Sequence, residues 1–281
     1  MSDRIGTATG RRVIAVGLFA FAVANSPMAS GQSIDTPDAP PPVPMVTDRP
    51  TDSASAVVVP RQTFQLELGY KFSHTENDSA TTDVQVLPDL LARYGISHKV
   101  ELRLVAGGWT VESDTGGETS GFTDISLGTK IALVNEIGKP SQMGILVDVS
   151  LPVGDDDFSN EYVVPKVLFL QSHNLTDRHG LTYNIGPSFV TSESDGESES
   201  HVDLNYAVAL NGSIGGGFNL FGELYGAFAV GSNGLNRHSF QAGTTILLSP
   251  RFQIDVRGGV GLVENDPDWL VGAGLAFRVP R

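Results

Sequence analysis

Strict alternation of apolar and polar residues, in runs of about ten that recur from Arg61 onward, constrains this chain more than any other feature. In the first run Phe64, Leu66, Leu68, Tyr70 and Phe72 share one parity, and Gln65, Glu67, Gly69, Lys71 and Ser73 share the other. Successive side chains of a strand point to opposite faces, so a strand gathers these residues into one apolar and one polar face, whereas a helix scatters them all round. The same period returns in segments that open at Leu90, Val100, Ile125, Ile145, Val163, Leu181, Val202, Phe218, Phe240, Phe252 and Trp269. With the first run they make about twelve strands, an even number as closed single-chain membrane barrels require. The Val163–Leu170 run is ambiguous, because Leu168 and Leu170 fall on its polar face.

The breaks between runs alternate too. Thr75–Thr82, Glu112–Ser120, Asp155–Glu161, Ser192–Ser200, Gly231–Arg237 and Glu264–Asp268 are acidic and often long, whereas Ser97–Lys99, Asn135–Ser141, Ser172–His179, Asn211–Gly217 and Ser249–Arg251 are shorter or more turn-like. Long loops on one rim and short turns on the other is the asymmetry of outer-membrane barrels, and an even strand count puts both termini on the short-turn, periplasmic rim. A soluble sandwich or lipocalin-type barrel also alternates, but it turns the apolar face inward and hydrates the other face with Lys and Glu. Here the polar face is rich in Gly, Ser, Asn and Thr, with sparse charges of both signs, which suits a narrow polar lumen. Phe64, Phe72, Tyr94, Trp109, Phe122, Phe252, Trp269 and Phe277 stand near strand ends, where interfacial aromatic girdles form. The fold expected for residues 61–281 is therefore all-β, a transmembrane up-and-down antiparallel β-barrel of about 12 strands.

Residues 1–31 have the three parts of a cleaved signal peptide: Arg4, Arg11 and Arg12, the apolar run Val13–Ala24, then the small residues Ala29-Ser30-Gly31. That apolar run is too short to span roughly 30 Å of hydrocarbon as a helix. Residues 32–60 are rich in Pro, Ala and Asp, with Pro40-Pro41-Pro42 among them, and read as an extended periplasmic lead-in without a core of its own. With 18 Lys+Arg against 32 Asp+Glu, the formal charge of −14 disfavours nucleic-acid phosphates as a partner. The absence of cysteine removes disulfides, thiolate metal sites and Cys nucleophiles. The partners expected are outer-membrane lipid and lipopolysaccharide, the barrel-assembly machinery during biogenesis, and a small-molecule solute, with no nucleic acid and no cofactor.

Alternation puts Glu67, Lys71, Arg93, Glu101, Arg103, Asp124, Lys130, Asp148, Lys166, Asp203, Glu223, Asp255 and Arg257 on the inner face as lumen-lining candidates. These charges either line a path or pair with one another to fill a closed barrel, since charges in a narrow interior must be paired. The first alternative is a passive channel. The second is a structural or adhesion barrel whose acidic loops are the working surface. A lipid-modifying enzyme has less behind it: no Gly-rich phosphate loop, His-Glu-x-x-His or Gly-x-Ser-x-Gly motif is present. His238 and Ser239 are adjacent, and strand neighbours point to opposite faces, so no catalytic residue is expected. The acidic stretches Asp155-Asp156-Asp157 and Glu193–Glu199 lack the fixed spacing of a Ca²⁺ loop and read as solvated, with no metal.

Several segments also resemble a known family. Thr47-Asp48-Arg49-Pro50-Thr51-Asp52, followed by Val59-Pro60 and Phe64-Gln65-Leu66-Glu67-Leu68-Gly69, is similar to the opening of the phenol-degradation (meta-pathway) outer-membrane transporter family. Leu90-Leu91-Ala92-Arg93-Tyr94-Gly95-Ile96 with Val100-Glu101-Leu102-Arg103 resembles its second hairpin, and Asp266-Pro267-Asp268-Trp269 to Phe277-Arg278 its closing strand. The resemblance implies a barrel that passes small, often aromatic or hydrophobic, molecules. One departure is the C-terminus: outer-membrane proteins commonly end in Phe, whereas Phe277 is followed here by Arg278-Val279-Pro280-Arg281.

Overall fold

Apolar side chains face out and charged side chains face in. Leu102 and Leu127 are 46% and 48% exposed, while Glu67, Glu101 and Lys130 are 0% exposed. A water-soluble sheet has the opposite arrangement, so this wall is made for a solvent of hydrocarbon around a polar interior. The computed structural model describes residues 45–279 except 77–79, 135–139, 195–196 and 232–233. The segment read as a signal peptide and the first part of the Pro-rich lead-in lie outside the described residues.

Among the described residues fourteen strand segments follow in order: β1 (Phe64–Glu76), β2 (Thr81–Gly95), β3 (Val100–Ala106), β4 (Trp109–Asp114), β5 (Gly117–Phe122), β6 (Ile125–Val134), β7 (Ser141–Leu151), β8 (Val164–Asn174), β9 (His179–Ser194), β10 (Glu197–Gly215), β11 (Phe218–Val230), β12 (Arg237–Ser249), β13 (Phe252–Gly261) and β14 (Trp269–Val279). β3 and β4 both pair with β2, at Arg93↔Arg103 and Val86↔Thr110, and β6 and β5 continue the next strand beside them. Each couple is one stave, interrupted at Gly107-Gly108 and at Thr123-Asp124, which makes twelve staves. Every pairing between these strands, among the described residues, is antiparallel, and β1 meets β14 from Phe64↔Val279 to His74↔Trp269, so the sheet closes on itself.

Two stretches differ from the sequence reading. Glu112–Ser120, read as a loop, belongs mostly to the β4–β5 hairpin, which extends the wall beyond β3 and β6. β2 begins at Thr81 and not near Leu90, because a register shift opposite Gly69/Lys71 puts Leu87 and Pro88 out of phase. A Pro cannot donate to the ladder, so the bulge conceals an otherwise continuous strand from an alternation count.

Aromatic residues cluster at both ends of the wall. Phe72 and Trp269 lie 5.2 Å apart by ring centroid, and Trp109 and Phe122 meet edge-on at 5.0 Å, all toward the rim away from the termini. At the terminal rim Phe64 pairs with Tyr94 and Phe252 with Phe277. Between these belts Leu104, outward on β3 between Ala92 and Leu127, faces lipid at depth. Leu104→Arg is expected to destabilise the folded barrel by about 2–4 kcal/mol, read from guanidinium unfolding in liposomes. A cost below about 0.5 kcal/mol, the scale of a neutral surface change, would place this face in water.

Candidate functional site

Residues 45–60 run through the interior of the barrel. This differs from a periplasmic lead-in without a core: Met45, Ala54, Ala56, Val58 and Val59 are buried. An irregular segment inside a barrel has no ladder for its backbone, so wall side chains must supply the partners. Asp48 and Arg49 donate their N–H groups to Glu67 Oε2 at 3.0 and 2.8 Å. Asp52 and Ser53 donate to the two oxygens of Glu223 at 2.8 and 2.7 Å. The Asn184 amide reads Ala54 twice, accepting from its N–H at 2.7 Å and donating to its carbonyl at 2.9 Å. Val59 N–H donates to Glu101 Oε2 at 2.7 Å.

Ala54 and Ala56 pack against Leu146, Leu168 and Leu170 in one buried cluster. That contact explains the ambiguous strand, because Leu168 and Leu170 stand on the inner face where the plug, not water, covers them. Glycines make room elsewhere. A Cβ on Gly95 would lie 2.2 Å from the Pro60 carbonyl, so that position needs a bare backbone for the plug to lie against the wall, and one on Gly69 would displace the Arg49 guanidinium, whose Nη2 is 2.0 Å away.

Six charges gather around the start of the plug. Arg93 donates through Nε and Nη2 to both oxygens of Glu101 at 2.9 Å, and through Nη1 to Glu67 Oε1 at 3.1 Å. Asp48 accepts from Arg103 Nη1 and, at 2.7 Å, from Lys130 Nζ. Three carboxylates and three cations therefore balance, and all are shielded from solvent. Burial alone raises the Asp48 carboxyl, but Arg93, Lys130 and Arg103 outweigh it and hold the group well below its ordinary value of 3.8. A depressed carboxylate stabilises the folded state fully above its unfolded pKa and loses that contribution only as pH falls through the folded value. The share of the anchor that Asp48 contributes is thus intact at neutral pH and down to about pH 4.

Farther along, Arg49 pairs with Asp89, and Arg257 lies 3.6 Å from Asp52 and 3.9 Å from Asp89. Asp255 sits 3.8 Å from Arg49. Gln241 Nε2 donates to Asp52 Oδ2 at 3.0 Å.

Above the plug, toward the rim away from the termini, lies an open chamber. Asp148, Lys166, Ser188 and Asp203 are cross-strand partners in one row from β7 to β10. Two adjoining cavities of 470 and 270 Å³ share Lys166, Asn205 and Arg237, and a smaller one of 200 Å³ follows the plug past Asp52, Asp148 and Lys166. Lys166 lies 3.6 Å from Asp148, and Arg237 3.1 Å from Asp203, yet these two cations remain 38% and 55% exposed.

The thirteen candidate charges thus fall into separate groups. Glu67, Arg93, Glu101, Arg103, Lys130 and Glu223 hold the plug; Asp255 and Arg257 flank it; Asp148, Lys166 and Asp203 line the chamber. Lys71 keeps the inner parity of β1 and is half-buried. Asp124 is a correction, since it stands in the gap between β5 and β6 and accepts from the N–H groups of Val153, Gly154 and Asn160 at 3.1, 3.0 and 2.9 Å. Its carboxylate ties down the β7–β8 loop. The choice of charged residues on strands passed over Asp48, Arg49 and Asp52, which stand before the first strand, and Gln65, Asn184 and Gln241, which are uncharged. The inner parity of those neutral residues was the available signal. His238 bonds Tyr206 on one side of the wall while Ser239 lines the chamber on the other, so the two form no dyad.

No curated protein sequence matches the chain. Among solved structures it is similar to the COG4313 outer membrane channel from Pseudomonas putida F1, with a TM-score of 0.65 at 14% identity over 81% of this chain and 99% of that one. The NanC porin matches with a TM-score of 0.51 at 10% identity, over 77% of this chain and 100% of the porin. Likeness at such identities establishes the fold. The family model described as "Putative MetA-pathway of phenol degradation" matches residues 47–279, from the plug's Asp48 region through the closing strand, and the chain belongs to that family.

Proposed function

We propose that this protein is a passive channel of the bacterial outer membrane for small solutes, with its own N-terminal segment as the restriction. The observation that carries the reading is the chamber: a polar cavity, open toward one rim, whose floor is a non-covalently held segment of chain. A barrel that is only a scaffold has no need of it. The rim with the termini is assigned to the periplasm, following a cleaved signal peptide, and the acidic rim to the cell exterior beside lipopolysaccharide. Small aromatic molecules are the solute class suggested by the family description. The barrel-assembly machinery is the expected partner in biogenesis.

In this mechanism a solute enters the chamber, exchanges water for Asn205, Ser188 and the flanking charges, and reaches Asp52 at the plug surface. Passage then requires the middle of the plug, Asp52 to Ala56, to leave Glu223 and Asn184. Those contacts are neutral or singly charged hydrogen bonds, each about 0.5–3 kcal/mol net, so they yield before the six-charge anchor does. The rival reading, a plugged structural barrel, is favoured by the number of staves that hold the plug. Planar-bilayer conductance and liposome swelling on refolded protein decide between the two. Flux of a neutral sugar supports the channel, and no flux of any solute supports the scaffold.

A further inference from the structure

We propose that the outer wall carries a binding site for an anionic phospholipid, with a hollow for its acyl chain and a pair of cations for its phosphate. The hollow measures 650 Å³ and lies on the lipid-facing side of β1, β2, β3, β6 and β7. Two cross-strand rows build it. Phe64, Tyr94, Leu102, Thr129 and Val147 form the first, and Ala92, Leu104, Leu127 and Val149 form the second. Ala92 and Thr129 are the small members of these rows, so the wall dips where they stand between larger neighbours. A hydrocarbon chain lying in a dip gains dispersion contacts that a flat stretch of wall does not offer.

A second, independent observation is the charge beside this hollow. Arg61 bridges Gly95, the neighbour of Tyr94, and Lys99 stands in the β2–β3 turn, about 10 Å along the strand from Leu102. Both side chains are exposed, and neither forms an ion pair among the described residues. Among the described residues between strands on this terminal rim, Arg61, Lys99, Arg178 and Arg251 stand against one carboxylate, Asp177, in the β8–β9 turn. The other rim has the opposite sign, with Glu112, Asp114, Asp155, Asp156 and Glu264 exposed. A phosphodiester is therefore drawn to the terminal rim and repelled by the other. The spacing from Lys99 to Leu102 sets a headgroup at the turn and the following stretch of its chain in the hollow. A free phosphate gains only the cations, and a zwitterionic lipid brings an ammonium that opposes them; an anionic phospholipid gains from both features. With the terminal rim assigned to the periplasm, this lipid belongs to the inner leaflet, but the site depends neither on that assignment nor on solute passage.

Tryptophan quenching in equimolar phosphatidylcholine and phosphatidylglycerol tests the site, with brominated chains on one lipid or the other. The reporter is Ile96→Trp, between turn and hollow, in a chain carrying Trp109→Phe and Trp269→Phe. Phosphatidylglycerol is expected to be favoured there roughly fivefold, the preference that one Lys or Arg beside an anionic surface gives. At the acidic rim, read by Trp269 in a chain carrying only Trp109→Phe, the ratio should be one or below. Arg61→Gln with Lys99→Gln, both at exposed positions, should bring the ratio at position 96 to about one. Ala92→Phe fills the hollow and should at least halve it. Equal quenching by the two lipids at position 96, or the same preference at both rims, overturns the proposal. So does a preference that survives loss of the two cations, or one that Ala92→Phe leaves unchanged, since attraction without the hollow is diffuse. No arm measures flux, so failure here leaves the channel reading untouched.

Discussion

Deleting residues 45–58 is expected to raise single-channel conductance roughly threefold or more, because a twelve-stranded wall cleared of its plug leaves a continuous aqueous lumen. The deletion removes the backbone that Glu67, Asn184 and Glu223 bind, but no strand, so the β1–β14 closure is untouched. It also takes away Asp48, and the remaining anchor of Arg93, Arg103 and Lys130 against Glu67 and Glu101 becomes net positive by one charge. Water entering the cleared lumen solvates that excess, which limits the damage to folding. Unchanged conductance would show that the plug does not restrict the path. Large conductance only after deletion would mean that the intact chain is a closed barrel.

The second large effect is on stability. Glu101→Leu is expected to cost about 3–5 kcal/mol, because it breaks a buried ion group on one side and leaves cations uncompensated. Glu101 bonds Arg93 through both oxygens, approaches Arg103 at 3.1 Å and Lys130 at 3.6 Å, and accepts from Val59 N–H. Urea unfolding followed by tryptophan fluorescence measures the loss. A cost under about 1 kcal/mol, the worth of an exposed pair, would show the group to be solvated and unimportant to the fold. Adding Arg103→Leu to the variant should recover part of the loss, since removing both partners is far cheaper than removing one.

What the sequence disclosed and concealed follows from the range of the interactions. Strand alternation is local, so Phe64–Phe72 can be read residue by residue, and closure follows from the parity of a dozen such runs. Pro88 interrupts the local signal, and the start of β2 disappears with it. The plug has no period at all. Thr47–Asp52 reads as part of an extended lead-in because what makes it ordered lies far away in the chain: Ala54 meets Asn184, and Asp52 meets Glu223. Leu168 and Leu170 were the one visible trace, two leucines on a face that should have been polar. Parity also assigns Glu101 and Lys166 to the same inner surface, yet it carries no information on depth, and depth separates an anchor charge from a chamber charge.

Closure between β1 and β14 also sets a schedule for assembly. The first strand follows directly after the plug and its partner is the last strand of the chain, so the seam between them is the final contact the sheet can make. Until that seam zips, residues 45–60 can enter the nascent cylinder sideways, with no end to thread through a finished ring. Inside, they present Asp48 to three cations that would otherwise face one another across a shrinking gap. The segment that fills the interior of the barrel is thereby also a mandrel around which the wall can be wound.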